Sequence, residues 1–445
     1  MISEHIFRMG SIRGAYGTDL NEEIFEQFGN VFAQMVKNNV LVAYDVRKSS
    51  PSLTDAFVRG ARSAGATVVS IGLAPQCCAV FYAQKHEYNL AYITASHIAG
   101  DWNGIKFFHK NGTTYKDKDM ALLKKAMKGK MLTTGKGHFT RVDTKKVIRE
   151  YVDEIAAKVK FHKAKTKVLI DCGNGVNGLV AKQLFEKAGF HTDVIFAEPD
   201  GSFPNRHPDP KEDPLNELKK RISGYDIGIA YDADGDRAIF LTKRGIRVSI
   251  EQEAGIILSA LPKGPVVANV ECTNIMNDIA KKQKRELYWV KVGQVYMEEK
   301  LLEKKAVLGI ESSYHIFLPA MTKFADAVAA SLFVAGVVEK TGKSLDDFVG
   351  ETPVYPTRAK KFLCPDRKKF NVIEKIKQDF RKKYRELNEL DGVKILLENG
   401  SVLIRASQTE PAIRITVEGK TMKDVDKLEK EFAEVLEKEI NRKFK

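Results

Sequence analysis

Short apolar runs that each lead into an amphipathic stretch recur along most of this chain, and that alternation constrains its fold more than any other feature. Val40-Leu41-Val42-Ala43-Tyr44 precedes the helix-like stretch 53–63, and further apolar runs follow at 67–71 and 90–93. The rhythm returns at Lys167-Val168-Leu169-Ile170-Asp171 before the helix-like 179–188, at 226–231, and at Val266-Val267-Ala268-Asn269-Val270 before 275–281. Repeated strand–helix units imply mixed or parallel sheets covered by helices. The stretch from 355 onward breaks the pattern. There Val402-Leu403-Ile404-Arg405 and Ile413-Arg414-Ile415-Thr416-Val417 flank a turn, with helix-like segments before and after, which predicts a smaller α+β domain. Seams near Asp143, near Gly245 and at Pro353-Val354-Tyr355-Pro356 divide the chain into 1–142, 143–245, 246–354 and 355–445. The expected fold class is therefore α/β, with three similar α/β domains and a distinct C-terminal one.

Composition serves mainly to exclude. A length of 445 residues suits about three domains, and 43% hydrophobic with 29% charged residues is ordinary for a globular chain and not for a disordered one. Met1-Ile2-Ser3-Glu4-His5-Ile6-Phe7-Arg8 places charges where a secretory signal needs an apolar stretch. The longest apolar run, 327–338, falls short of the ~20 residues that span a bilayer and reads as a buried helix. Five cysteines, with Cys77 and Cys78 adjacent and no Cys-x-x-Cys, make neither a full disulfide framework nor a zinc site of the usual spacing, so a cytoplasmic location and no membrane partner are expected. The net charge of +14 raises the question of nucleic acid. Yet the basic residues are interleaved with acidic ones, as in Lys375-Ile376-Lys377-Gln378-Asp379-Phe380-Arg381-Lys382-Lys383-Tyr384-Arg385-Glu386, the pattern of a solvated helix face. No nucleic-acid partner is expected, and a small anionic substrate is equally compatible with the charge.

The most informative segment is Tyr231-Asp232-Ala233-Asp234-Gly235-Asp236-Arg237, just after the strand-like Ile227-Gly228-Ile229-Ala230. Three alternating carboxylates on one tight loop repel one another unless a cation neutralises them, and their oxygens suit a hard ion such as Mg²⁺. A polar turn without a ligand is the ordinary alternative. A calcium hand is excluded, because its twelfth position, counted from Asp232, is Lys243 where Glu is needed. Next comes Tyr92-Ile93-Thr94-Ala95-Ser96-His97, which puts Ser96 beyond a strand end beside His97, with Lys106 expected in the same loop. A serine hydroxyl is a weak nucleophile, but a phosphoserine can donate a phosphoryl group and offer an oxygen to a metal.

Two further segments suit a phosphorylated sugar. In Gly309-Ile310-Glu311-Ser312-Ser313-Tyr314-His315, a carboxylate and a hydroxyl two residues apart fit neighbouring sugar hydroxyls, although such a loop is also a plain cap. Arg405-Ala406-Ser407-Gln408-Thr409-Glu410-Pro411-Ala412-Ile413-Arg414 packs two guanidinium groups and two hydroxyls around a turn, the inventory of a phosphate clamp or else of a solvated edge. One match points elsewhere. Gly173-Asn174-Gly175-Val176-Asn177-Gly178 is a Gly-x-Gly-x-x-Gly after a strand, with Asp193 further on, as in dinucleotide-binding turns; a turn kept glycine-rich only for tight packing is the alternative.

Together these segments resemble the α-D-phosphohexomutase family over nearly the whole chain. The resemblance runs in the family's order through Phe7-Arg8, Ile12-Arg13-Gly14, Tyr44-Asp45-Val46-Arg47-Lys48-Ser49-Ser50, Ile71-Gly72-Leu73-Ala74-Pro75, Thr94-Ala95-Ser96-His97, Asp171-Cys172-Gly173-Asn174-Gly175, the loop 232–237, Glu311-Ser312-Ser313 and the segment 405–414. It makes the glycine-rich match an ordinary family turn and implies that the four domains surround a central cleft. It further implies that Ser96 is the phosphoserine and that Asp232, Asp234 and Asp236, completed by Ser96, hold Mg²⁺. Glu311 and Ser313 match the sugar contacts, and Arg405, Ser407, Gln408, Thr409 and Arg414, with Lys291, match the substrate-binding set. Arg13, His97, Lys106, Arg237 and His315 match charged residues of the reaction centre, with acid and base unassigned.

The implied activity is interconversion of the 1- and 6-phosphates of a hexose, glucose or mannose, with a sugar 1,6-bisphosphate as activator and a monomer or homodimer as the expected assembly. The chain departs from the family at Ile98-Ala99-Gly100, where Asn-Pro is common after the histidine, at Ile310 and Tyr314, where small glycines are usual, and at Gln408. Those changes leave open a glucosamine or pentose phosphate as substrate. A metal-dependent phosphatase with Asp232 as nucleophile and a sugar-phosphate-binding protein without turnover are the competing classes.

Overall fold

The computed structural model of the chain describes residues 3–37, 39–133, 135–407 and 411–442. It forms two compact units, one of residues 1–262 and 313–349, the other of residues 263–312 and 350–445.

In the first unit a seven-stranded sheet takes β1 (Phe7–Arg8), β2 (Ser11–Ala15), β3 (Asn39–Tyr44), β4 (Thr67–Leu73), β5 (Asn89–Ile93), β6 (Trp102–Phe108) and β7 (Phe139–Arg141) in the order β1-β2-β6-β5-β3-β4-β7. β4 and β5 flank β3 in parallel, whereas β6 runs antiparallel to both β5 and β2. Val40, Leu41, Val42 and Ala43 on β3 are all fully buried, as a strand covered on both faces requires. The helices Glu22–Val36 and Ser50–Ser63 approach one another through two glycines. A Cβ at Gly29 would lie 1.9 Å from the Phe57 carbonyl oxygen, and one at Gly60 would lie 1.7 Å from that of Glu26. The chain leaves β3 for β4 on one side and returns to β5 on the other, so the carboxyl ends of β3 and β5 form a topological switch point, where α/β sheets place their ligands.

A second sheet of this unit takes β8 (Lys167–Asp171), β9 (His191–Ile195), β10 (Ile227–Tyr231) and β11 (Ala238–Thr242) in the order β11-β10-β8-β9. β8, β9 and β10 are parallel, and β11 pairs antiparallel with β10 so that Tyr231 faces Ala238. The acidic segment 232–237 is thus the turn of a hairpin whose strands are wholly buried.

The apolar run expected to be a buried helix is the core helix Ala327–Thr341, against β10, β11 and the helix Ile250–Ala260. Asp326 caps it, accepting from the Ala329 amide at 3.0 Å, while the Tyr151 hydroxyl lies 2.9 and 3.0 Å from its two oxygens. Burial outweighs these hydrogen bonds and pushes the Asp326 carboxyl up to about 6. A raised carboxyl contributes stability that is complete below its unfolded value of about 3.9 and is lost as pH rises through 6. Asp326→Asn keeps the cap but removes the proton, so the stability difference between variant and wild type is expected to move by about 3 kcal/mol in the variant's favour between pH 3.5 and 7. Denaturant melts across that range check it, and parallel curves would refute it.

The second unit contains β12 (Val266–Asn269), β13 (Leu287–Val290) and β14 (Leu308–Ile310), all parallel in the order β13-β12-β14. β15 (Ile316–Phe317) belongs to the first unit and bridges back to Ala325. An antiparallel sheet then takes β16 (Thr357–Leu363), β17 (Leu387–Asn388), β18 (Val393–Leu397), β19 (Gly400–Ala406) and β20 (Ala412–Gly419) in the order β16-β20-β19-β18-β17. The helices Asp366–Lys383 and Met422–Asn441 bury their apolar residues, among them Phe380 and Phe432, in one core with this sheet. Mixed α/β sheets followed by an α+β region are what the periodicity predicts. Among the described residues no helix is long and apolar enough to cross a membrane.

Candidate active site

Ser96 follows β5 by three residues, is fully buried, and has φ of +57°, the left-handed region that serine rarely enters. Its amide donates to the Thr94 hydroxyl at 2.7 Å, and the same hydroxyl lies 3.3 Å from Asp234 Oδ2. His97 Nδ1 lies 3.4 Å from Ser96 Oγ, and His97 Nε2 lies 3.9 Å from Asp209 Oδ2. Burial, then the Arg237 and Arg13 cations, hold His97 far below the ordinary imidazole value, so the ring is neutral at pH 7. Lys106 is not in the serine loop as expected. It stands on β6, opposite Ser11 of β2 and Tyr92 of β5, and reaches the site from inside the sheet.

The hairpin turn gathers Asp232, Asp234 and Asp236, each at most 1% exposed, so that one oxygen from each lies within 4.8 Å of the others. Gly235 supplies the φ of +82° that lets the turn close. Asp232 Oδ1 accepts from the amides of Gly235 at 3.0 Å and Arg237 at 3.2 Å. Lys106 Nζ lies 2.6 Å from Asp234 Oδ2, 2.7 Å from Asp236 Oδ2 and 2.8 Å from Gln76 Oε1. Gln76 Nε2 donates to Asp236 at 3.1 Å, and His315 Nε2 lies 3.2 Å from its other oxygen. Burial and the two neighbouring carboxylates push Asp232 well up, whereas at Asp236 the Lys106 and His315 charges more than offset burial and hold it well down. Desolvation and the Arg237 charge lower Arg13 to about 10. Asp232 Oδ2 and Asp234 Oδ1, both buried, accept no hydrogen bond among the described residues, and Arg237 Nε stands 3.7 Å from the first of them. Buried carboxylate oxygens that lack donors are costly unless a cation meets them, so these residues fit a hard divalent ion.

The glycine-rich turn serves this loop. The Val176 amide donates to the Ala233 carbonyl at 3.0 Å and Asn177 Nδ2 to that of Gly235 at 3.2 Å, while a Cβ at Gly175 would lie 2.8 Å from the Ala233 oxygen. Close packing explains these glycines without a nucleotide. Arg206, ion-paired with Asp171 at 2.9 Å, donates to the Tyr231 carbonyl at 2.5 Å and so ties β8 to the start of the acidic turn.

One unit therefore brings together Ser96, His97, Lys106, Arg13, Asp232, Asp234, Asp236, Arg237 and His315. Ser313 joins them, its hydroxyl 2.8 Å from His315 Nδ1. The remaining expected residues belong to the second unit. Glu311, just after β14 and 2% exposed, accepts from the Gly293 amide at 3.0 Å. Lys291 is exposed, with its ammonium 5.6 Å from the Tyr296 ring centroid. Arg405 on β19 pairs in register with Arg414 on β20, which pairs in turn with Lys361 on β16, a row of three cations across adjacent strands. Arg405 is ion-paired with Glu271 at 2.7 Å and Asp391 at 3.1 Å, and Arg414 is exposed. The Ser407 carbonyl accepts from Lys369 Nζ at 2.6 Å. Gln408 and Thr409 lie outside the described residues.

Sequence reasoning missed Gln76, Asp209, Glu271 and Asp391. Only Asp209 had a local signal, the stiff His207-Pro208-Asp209-Pro210, which carries its carboxylate to 3.5 Å from Arg237 Nη1.

A buried serine and three clustered carboxylates with Lys106 and Arg237 beside them are the equipment of a phosphoryl-transfer enzyme. Four domain families match in succession: phosphoglucomutase/phosphomannomutase α/β/α domain I over residues 4–133, domain II over 149–245, domain III over 250–355, and the C-terminal domain over 360–435. A Pseudomonas putida phosphomannomutase/phosphoglucomutase is 31% identical over 97% of this chain and 95% of its own. A Methanopyrus kandleri protein named as a probable phosphoglucosamine mutase is 27% identical over 97% of each. The crystal structure of a phosphoglucomutase/phosphomannomutase family protein from Burkholderia thailandensis superposes with a TM-score of 0.88 at 26% identity, covering 99% of this chain and 98% of that one. The chain belongs to the α-D-phosphohexomutase family, whose members are intramolecular phosphotransferases.

Proposed function

We propose that this phosphohexomutase interconverts the 1- and 6-phosphates of a hexose, glucose or mannose, through a phosphoserine at Ser96. The observation that supports the reading is the Thr94 hydroxyl, which accepts from the Ser96 amide at 2.7 Å and lies 3.3 Å from Asp234 Oδ2, so that Ser96 and the acidic triad stand on either side of one residue. In the first half-reaction the phosphorus–oxygen bond at Ser96 breaks as one forms to the free sugar hydroxyl, whose proton leaves to a base while the departing Ser96 Oγ takes one from an acid. The resulting bisphosphate turns over, and its other phosphoryl group returns to Ser96. A neutral His97 beside Ser96 Oγ is placed to take the serine proton in that return. Lys106, Arg13 and Arg237 supply positive charge where the transferring group gathers negative charge.

Mg²⁺, when bound to Asp232, Asp234, Asp236 and the phosphoserine, would supply further charge neutralisation. Glu311 and Ser313 suit hydroxyls common to both orientations of the sugar, with Arg405, Ser407, Thr409 and Arg414 as the distal phosphate set and Lys291 and Gln408 as further substrate-binding residues. A catalytic amount of sugar 1,6-bisphosphate would load Ser96. The five cysteines, all buried free thiols, suit a reducing cytoplasm.

Phosphorus NMR of the protein with Mg²⁺, glucose 1,6-bisphosphate and, in turn, the 1-phosphates of glucose, mannose, glucosamine and ribose tests the reading. A 6-phosphate resonance from glucose or mannose is the expected result. Release of inorganic phosphate alone would mean a phosphatase and overturn it. Preference for glucosamine 1-phosphate would favour the second reading, which rests on the Methanopyrus relative's name and on Ile310 and Tyr314 in the sugar loop.

A further inference from the structure

The nucleophile is held in place by a pair of buried charges to which no role has been assigned. Arg47, 1% exposed, lies just beyond β3 and spends all five of its guanidinium N–H donors. Nε donates to Asp45 Oδ2 at 3.0 Å. The other four reach backbone carbonyls of the serine loop: Ser96 at 2.6 Å, Ile98 at 2.5 Å, Trp102 at 2.9 Å, and Ala99. Asp45, itself fully buried, completes the grip. Its Oδ2 also accepts from the Thr94 hydroxyl at 2.7 Å, and its Oδ1 accepts from the Arg47 amide at 3.1 Å and the Ser50 hydroxyl at 2.9 Å.

Both backbone groups of Ser96 therefore end on one carboxylate, the carbonyl through Arg47 and the amide through Thr94. The loop 94–102 contains no proline to fix its shape, and four of its carbonyls converge on a single cation. The far side is closed as well, because the Arg47 guanidinium carbon lies 5.7 Å from the Phe203 ring centroid and a Cβ at Gly100 would lie 2.3 Å from the Gly201 oxygen. A serine at φ of +57° keeps that conformation only where its surroundings impose it.

We propose that Arg47, seated on Asp45, is the positioning residue that holds Ser96 in its left-handed conformation, so that it governs the rate of phosphoryl transfer and leaves sugar affinity alone. The inference rests on Ser96 as the phosphoryl acceptor. Lysine keeps the charge at position 47 but has three donors on a point charge and cannot serve four carbonyls and a carboxylate.

The test compares wild type, Arg47→Lys, Thr94→Val and Thr94→Ser at saturating Mg²⁺ by steady-state kinetics, by mass spectrometry of Ser96 after incubation with glucose 1,6-bisphosphate, and by hydrogen exchange of the 94–102 peptide. In Arg47→Lys, kcat is expected to fall about 100-fold, the cost of a small misplacement of a reacting group, with KM within about threefold. Exchange in 94–102 is expected to quicken by about tenfold or more while the rest of the first unit is unchanged. Thr94→Val should shift the same quantities in the same direction and Thr94→Ser should restore them, which keeps the test open if Arg47→Lys does not fold. Unchanged kcat, a change confined to KM, or unchanged exchange in 94–102 would overturn the proposal. Wild type that never carries phosphate on Ser96 would instead overturn the phosphoserine reading, and the exchange comparison would still decide whether Arg47 holds the loop.

Discussion

Alanine at position 96 is expected to lower turnover of the sugar 1-phosphate by roughly 10⁴-fold or more, because a covalent mechanism that loses its nucleophile keeps only binding and electrostatic assistance. Ser96 is the residue whose oxygen lies beside the neutral His97, and its amide donates to the Thr94 hydroxyl, 3.3 Å from Asp234 of the acidic triad. Alanine meets the same backbone demand at φ of +57° as serine does, so the loop and its grip by Arg47 persist. The KM or dissociation constant for the sugar phosphate should therefore change little while kcat collapses, and mass spectrometry should find no phosphoprotein. A variant that turned over at the wild-type rate would remove the phosphoserine mechanism. One that released inorganic phosphate through an aspartyl phosphoenzyme would install Asp232 in its place.

Lys106→Met is expected to destabilise the metal-free protein by about 3–5 kcal/mol, the usual cost of stripping one partner from a buried charge pair. The ammonium is 7% exposed and bridges Asp234 and Asp236, which are essentially inaccessible, at 2.6 and 2.7 Å. Without it Asp234 loses its ion pair, while His315, 3.2 Å from Asp236, and Arg237, 3.7 Å from Asp232, still meet the triad. Mg²⁺ should then return much of the loss, since a ligand that binds only the folded state stabilises it by mass action. The wild type, already neutralised from within, should gain less from the same addition. Urea melts of both proteins with EDTA and with Mg²⁺ measure the four stabilities needed. Equal losses in the two solutions would show that Lys106 and the metal do not share the triad's charge.

Much of this arrangement can be read from residue order, and the exceptions have physical reasons. Alternating apolar runs reveal β3, β5, β8, β10 and β12 because strands buried on both faces must be apolar along their length. The Asp232-Ala233-Asp234-Gly235-Asp236 turn is visible because like charges at that spacing need an explanation. Lys106 belongs to a strand and not to the serine loop, although Asn103-Gly104 precede it in sequence. Gly104 is itself a strand residue whose Cβ would lie 2.0 Å from the Ile12 oxygen, so glycine there permits close approach of β2 and does not break the strand. Gln76 and Asp209 act across 160 and 112 residues on Asp236 and His97, separations that no local pattern records. The acidic neighbours of Arg405 are equally hidden: Glu271 and Asp391 meet it through the fold, at separations that sequence spacing leaves open.

Under the proposed mechanism the left-handed backbone at Ser96 also decides which alcohol the enzyme can use. Threonine offers the same hydroxyl, but its branched Cβ crowds the carbonyl in that region of φ and ψ. Glycine and asparagine would settle there readily and bring no alcohol at all. Between a conformation that discourages branching and a reaction that demands a hydroxyl, serine is the residue left, and an exchange that genetic codes permit in a single base change becomes one that this loop refuses.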